Sequence, residues 1–190
     1  MFQKSPLNLI LAAGFTIAVP AIGYVSFGLW PALLFLIGYL GGFILWLTVP
    51  TTTAVSSIKT LYWVTFGLFI LHRVEEKVSG FFVQLAKMTG VPVPEIISWP
   101  IVLLLFLSVV GWLLGPILYA RGYEFGRYLV WTFFASMGIT ELGHFVFPIF
   151  TQESYGYFPG MLSVFLLAPM AWYSMWCLAS SNEGNANESV

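Results

Sequence analysis

The segment Ile101-Val102-Leu103-Leu104-Leu105-Phe106-Leu107 decides the fold class. The apolar stretch around it runs from Ile96 to Ala120 without a charged residue. A helix rises about 1.5 Å per residue, so about 20 such residues cross the hydrocarbon core of a bilayer. A membrane-spanning β-strand would alternate apolar and polar side chains, and this segment does not. Five further stretches read the same way: Leu7 to Phe27 with a kink at Pro20, Trp30 to Val49, Lys59 to Ser79, Arg127 to Phe147, and Tyr157 to Cys177. The expected fold is an all-α, polytopic membrane bundle of about six transmembrane helices in contact with the lipid bilayer.

Composition agrees. Hydrophobic residues make up 59% of the chain and charged residues 8%, and the mean hydropathy is +0.89. Soluble domains carry about 25% charged residues, so a water-facing surface is excluded. A net charge of -1 with no basic face argues against nucleic acid as a partner. The single cysteine, Cys177, excludes an intrachain disulfide and any metal site built from several cysteines.

Residues 1–178 read as one transmembrane domain and residues 179–190 as a polar, disordered tail. Lys4 precedes the first apolar run, and Val19-Pro20-Ala21 is a weak match to a leader cleavage site. The run continues through Tyr24 and Phe27, so it reads as a retained span. The longest connection, Gly80 to Glu95, has room for a short interfacial helix before Pro92 and Pro94. Lys4, Lys59, Arg121 and Arg127 fall on one side of a six-span chain, and Lys77 and Lys87 on the other. Cytoplasmic connections carry the excess of basic residues, which puts a multi-pass chain in the cell membrane with both termini in the cytoplasm. Trp30, Trp46, Trp99 and Trp112 read mostly as interfacial anchors. Gly38 and Gly42 have the spacing that lets one span pack closely on another inside the bundle.

Ionisable side chains within spans are costly, about 2.5–3.5 kcal/mol each on insertion scales, and therefore need a reason. The third span carries His72-Arg73-Val74-Glu75-Glu76-Lys77 and the fifth carries Glu141-Leu142-Gly143-His144. These are the only two histidines in the chain. At about 100° per residue, Glu75 falls roughly 60° to one side of His72 and Glu76 roughly 40° to the other, so all three share a face. Arg73 and Lys77 lie beyond Glu76, able to pair with it or to snorkel outward. Glu141 and His144 are one turn apart. Both spans run in the same direction, and both motifs lie roughly 20 Å from the face where their spans begin. His72, Glu75, Glu76, Glu141 and His144 are therefore expected to meet in one polar cluster between the third and fifth spans, with Thr65 as its floor.

Imidazole and carboxylate groups converging in a low dielectric suit a metal ion, iron or zinc. Glu141-x-x-His144 is the element that carboxylate-bridged di-iron bundles repeat on inward faces. Glu153 is a candidate for the missing carboxylate of a two-ion site, and a one-ion site fits the count equally. Without a metal the same groups can move protons, as in isomerisation or cyclisation of a lipid, or line a proton-coupled transporter. A purely structural ion-pair cluster is the remaining reading.

The string His72-Arg73-Val74-Glu75-Glu76 is an H-x-x-E-E motif. With the number of spans, the chain length and the later Glu-and-His helix, the chain resembles the HXXEE-domain family of integral membrane proteins, mainly bacterial. The resemblance covers the chain to about Cys177. It implies a multi-span topology and a shared polar site at His72, Glu75 and Glu76, and implies no particular reaction. Glu141 and His144 rest on helical geometry instead. Three other families fit less well. CAAX-type intramembrane proteases show E-E-x-x-x-R, but Gly80 stands where the arginine belongs. Membrane desaturases need many more histidines. The motifs of emopamil-binding-type sterol isomerases do not align residue by residue.

The expected function is a metal-dependent enzyme, oxidative with iron or hydrolytic with zinc, acting on a lipid or other apolar small molecule. His72, Glu75, Glu76, Glu141 and His144 are the metal-site candidates, with Glu75 and Glu76 also the candidate catalytic carboxylates. The alternatives are a metal-free acid–base isomerase or cyclase of a lipid and a proton-coupled transporter.

Overall fold

A computed structural model describes residues 4–51, 53–93, 98–151 and 153–180. Pro94, Glu95, Ile96 and the tail after Ser180 lie outside the described residues, as do the expectations that rest on them. The described chain is helical with no strand. Six helices are long and apolar enough to cross a membrane: α1 (Pro6–Phe27), α2 (Leu29–Thr48), α3 (Val55–Ser79), α5 (Trp99–Ala120), α6 (Glu124–Phe150) and α7 (Met161–Ala179). The short α4 (Phe81–Thr89) follows α3, at the place where an interfacial helix is expected.

Local chemistry sets the ends. Ser5 accepts from the Asn8 amide at 3.3 Å, and Pro6 occupies the first turn of α1, where its missing N–H costs nothing. The α1–α2 hairpin turns on Gly28 alone (φ +79°), and α3 passes into α4 at Gly80 (φ +77°). Both are left-handed positions that glycine adopts without strain. The third and fifth spans begin earlier than expected, at Val55 and Glu124, because their first turns include small and polar residues that hydropathy alone discounts. The sixth begins later, at Met161 rather than Tyr157, because Gly160 (φ +98°) turns the chain just before it.

Helix α6 is the centre of the bundle. Every residue from Tyr128 to Gly138 is buried, and α2, α3, α5 and α7 gather around it. In lipid there is no hydrophobic drive between helices, so close fit and hydrogen bonds hold them together. Aromatic packing supplies much of the fit. Phe133 of α6 meets Tyr62 at 4.7 Å and Trp112 at 5.5 Å between ring centroids. Hydroxyls supply cross-helix bonds: Tyr62 donates to the Trp112 carbonyl at 2.6 Å, and Thr16 and Tyr128 pair at 2.8 Å. Of the four tryptophans expected at the interface, Trp30 and Trp99 are exposed, but Trp46 and Trp112 are buried. Trp46 packs edge-on against Tyr128 and Trp112 against Phe69. Sequence position near a helix end did not register that these faces turn inward.

Gly38 and Gly42 lie against α6, as expected for packing within the bundle. A methyl at Gly42 would strike the Thr132 backbone, and one at Gly38 would strike Thr140 and Ser136. Gly67, by contrast, has open space at its Cβ position. Overpacking costs about 1–3 kcal/mol. Gly42→Ala is therefore expected to lower the thermal unfolding midpoint in detergent, while Gly67→Ala leaves it unchanged or slightly raised. Equal melting of the two variants would show that the α2–α6 contact is not close-packed.

A candidate metal centre between α3, α6 and the start of α7

Four of the five expected residues converge. His72 and Glu76 project from one face of α3, one turn apart. Glu141 and His144 come from α6, where the helix tightens to a 3-10 turn at Thr140–Leu142 before Gly143–Val146 resumes α geometry. In a 3-10 turn, residues three apart eclipse one another, which stacks Glu141 and His144 toward the same point. All four are buried, His72 completely.

The contacts form a ring. His72 Nε2 lies 3.1 Å from Glu141 Oε2 and 3.5 Å from Glu76 Oε1. His144 Nε2 lies 3.2 Å from Glu76 Oε1 and 3.4 Å from Glu141 Oε2. The outer oxygen of each carboxylate is bound by one guanidinium: Arg73 Nη1 donates to Glu76 Oε2 at 2.6 Å, and Nη2 donates to Glu141 Oε1. Arg73 thus fixes both carboxylates so that each directs a single oxygen inward, the fork geometry for which arginine is suited.

The far side of each imidazole is held as well. His144 Nδ1 is 2.6 Å from the Pro159 carbonyl. A carbonyl only accepts, so Nδ1 carries the proton. His72 Nδ1 is 2.8 Å from Ser163 Oγ, and that hydroxyl donates to the Gly160 carbonyl at 3.2 Å. Its oxygen therefore accepts from His72 Nδ1–H. Both rings then turn Nε2 toward two carboxylate oxygens, with a lone pair there in the neutral ring and an N–H in the imidazolium. Glu76 Oε1 is buried and makes no hydrogen bond.

Two carboxylate oxygens and two imidazole nitrogens facing one another in a low dielectric require positive charge among them, from protons on the imidazoles or from a metal ion. A zinc-like ion with ligands about 2.0–2.1 Å away in a tetrahedron has neighbouring ligand atoms about 3.3 Å apart. The four imidazole–carboxylate separations span 3.1–3.5 Å. Each of the four residues offers a ligand atom, and these atoms lie within 4.8 Å of one another. His72, Glu76, Glu141 and His144 are close enough to hold a metal ion, and Arg73, Ser163 and Pro159 form the orienting groups that such sites use.

The walls are aromatic and tight. Phe81, Phe147 and Phe158 surround His144 at centroid distances of 5.1, 5.8 and 6.3 Å. The two imidazoles meet edge to face at 4.8 Å. Gly160 lies against both: a Cβ there would sit 2.5 Å from His144 Cε1 and 2.9 Å from His72 Cε1.

Glu75 does not join the ring. It lies on the other side of His72 from Glu76, and that rotation aims it at the start of α7. There it accepts from the Ser163 amide at 2.7 Å, the Leu162 amide at 3.1 Å and the Tyr157 hydroxyl at 2.7 Å. It satisfies the free N–H groups of the helix start and meets the positive end of the helix dipole. Glu153 is exposed and is not among the converging groups. Thr65 is engaged elsewhere, donating to the Leu61 carbonyl and meeting Ser174. The sequence paired Arg73 with Glu76 but not with Glu141, and it gave no sign of Ser163 in α7 or of Pro159 and Gly160 just before it. The pattern of α3 could have indicated Arg73, since it is the one cation a turn from Glu76 on the side of the fifth span. Nothing local marks Ser163 or Gly160.

Glu75→Ala is expected to lower the unfolding midpoint by the equivalent of about 1–2 kcal/mol, the usual cost of losing such a cap, while leaving the imidazole–carboxylate ring assembled. A thermal melt beside Glu153→Ala, expected to be neutral, measures it. No protein-family model, curated protein or solved structure matches the chain.

Proposed function

We propose that the chain is an integral membrane metalloprotein that binds one divalent ion through His72, Glu76, Glu141 and His144, and that this centre serves an enzyme acting on a lipid or other apolar substrate. The observation that carries the reading is the buried Glu76 Oε1, which makes no hydrogen bond although it lies 3.5 Å from His72 Nε2 and 3.2 Å from His144 Nε2. The one-ion form is favoured over a carboxylate-bridged pair, because both outer carboxylate oxygens are already taken by Arg73 and a bridged pair uses more carboxylates. Two imidazole nitrogens and two carboxylate oxygens suit zinc or iron.

A metal ion held there would supply Lewis acidity, and an activated water once a coordination position opens to it. The chain's own groups do the rest. Arg73 keeps the two carboxylates single-toothed. Ser163 and the Pro159 carbonyl hold the proton of each neutral ring on Nδ1, which leaves Nε2 as the ligand atom. The phenylalanines limit water. Glu76 is the carboxylate best placed to exchange a proton when it leaves the ion, since its inner oxygen has no fixed donor; Glu75 is committed to α7. Of the four hydroxyls that could line a transport path, three are used within the bundle: Ser108 accepts from Tyr39, Thr140 donates to the Leu34 carbonyl and Thr65 to the Leu61 carbonyl, while Ser136 Oγ is buried without a partner. This favours an enzyme over a proton-coupled transporter. The excess of Lys and Arg beside the termini supports a multi-pass cell-membrane location with both ends cytoplasmic. The motif at His72–Glu76 supports kinship with HXXEE-domain proteins, since its first and last residues both belong to the ring.

Elemental analysis of protein purified without chelators tests this. Wild type and Glu75→Gln are expected to carry about one ion per chain. Glu76→Ala and His144→Ala are expected to lose it, and a chelator is expected to lower the melting points of wild type and Glu75→Gln but not of these two, since ligand binding stabilises the folded state. Wild-type protein without metal would overturn the metal reading and leave an imidazolium–carboxylate acid–base cluster.

A further inference from the structure

Arg73 has a second edge. Its inward N–H groups bind Glu76 and Glu141, yet 41% of its side chain is exposed. A guanidinium has five N–H donors, and those that do not face the carboxylates look out of the bundle. Lys77, one turn further along α3, is also exposed, and among the described residues no carboxylate lies within ion-pair distance of it. Ile70, Val74 and Val78, interleaved with these cations, are 52%, 53% and 83% exposed. Two unneutralised cationic edges set among lipid-facing aliphatic side chains make a surface fitted to an amphiphile.

Depth agrees. Arg73 lies six residues before the end of α3 at Ser79, about 9 Å along the helix. The 25 residues of α3 are about 37 Å long, more than the hydrocarbon core needs. This end of α3 therefore lies at headgroup level, within snorkelling reach of Arg73. Charge agrees too. With a divalent ion bound and both imidazoles neutral, Arg73 and the ion outweigh the two carboxylates by one positive charge. A single surplus charge beside hydrocarbon favours a monoanion.

We infer that the exposed edge of Arg73, with Lys77, binds the anionic headgroup of an amphiphile and so seats a fatty-acid carboxylate or a phospholipid phosphate beside the His72–Glu76–Glu141–His144 centre. The inference rests on the metal reading, since the surplus charge exists only when the ion is bound. It names the class of substrate or obligatory lipid for that centre. The apolar chain lies along Ile70, Val74 and Val78, and the headgroup stays at the outer edge of the arginine.

Native mass spectrometry of the full chain in neutral detergent tests it, because one spectrum counts bound metal and bound lipid on the same ion. The probes are oleate, phosphatidylglycerol and, as the zwitterionic comparison, phosphatidylcholine. Metal-loaded wild type is expected to retain oleate or phosphatidylglycerol, or both, in preference to phosphatidylcholine; the preferred anion identifies which source is used. Lys77→Gln is expected to keep its metal and bind the anion about fivefold more weakly, the effect of one surface cation. His144→Ala, without metal, is expected to bind it more weakly still. Metal present with no preference for the anionic lipids, or with Lys77→Gln unchanged, overturns the headgroup site and leaves the metal centre standing. Anion binding unchanged in His144→Ala overturns its link to the ion. Wild type without metal overturns the metal reading, and with it this inference.

Discussion

Arg73 makes the rest of the cluster tenable. Two carboxylates buried in a bundle without water would repel each other and find too few donors. One guanidinium, reaching from α3 to α6, answers both with parallel charge-assisted bonds. Each carboxylate then has one oxygen satisfied and one directed inward, and the inward pair defines the space between the imidazoles. Each inward oxygen then lies 3.1–3.5 Å from the two imidazoles, a spacing that admits direct imidazolium–carboxylate pairs or an ion between them.

The bundle is arranged to keep that geometry. Glycines on α2 bring it hard against α6, and aromatic rings wedge α3 and α5 against the same central helix. The Trp172 indole donates to the Gly138 carbonyl at 2.6 Å, just before α6 changes from α to 3-10 geometry. The change in pitch there places Glu141 and His144 over one another. The start of α7 is fastened by Glu75, which in turn sets Ser163 beneath His72. The two adjacent glutamates of the motif thus divide the work: Glu76 enters the centre, and Glu75 anchors the helix that backs it.

Much of this was legible in the residues. Apolar run length gave the six spans, and like direction with like depth brought the third and fifth together. Helical angle placed His72 with Glu76 and Glu141 with His144. The same angle put Glu75 in the cluster as well, but a 60° offset is compatible with either side of a crowded face, and the start of α7 draws Glu75 away from the ring. Trp46 and Trp112 misled for a related reason. Hydropathy says how far along the membrane normal a residue lies, and says little about whether its face turns to lipid or to a neighbour. Ser163, Pro159 and Gly160 left no local trace at all, since their roles follow from a turn that is itself set by the packing of α3 and α6.

The short-range pair between Arg73 and Glu76, 2.6 Å apart on one helix, bears on how the chain is made. When α3 enters the membrane during synthesis, Glu141 has not yet been translated. Its arginine would then face lipid alone, but a partner one turn away can neutralise it at once. As α6 arrives, the guanidinium keeps that first bond and gains a second. Biogenesis can thus proceed without leaving a bare charge in the bilayer, and the centre closes only when the final span has threaded into place.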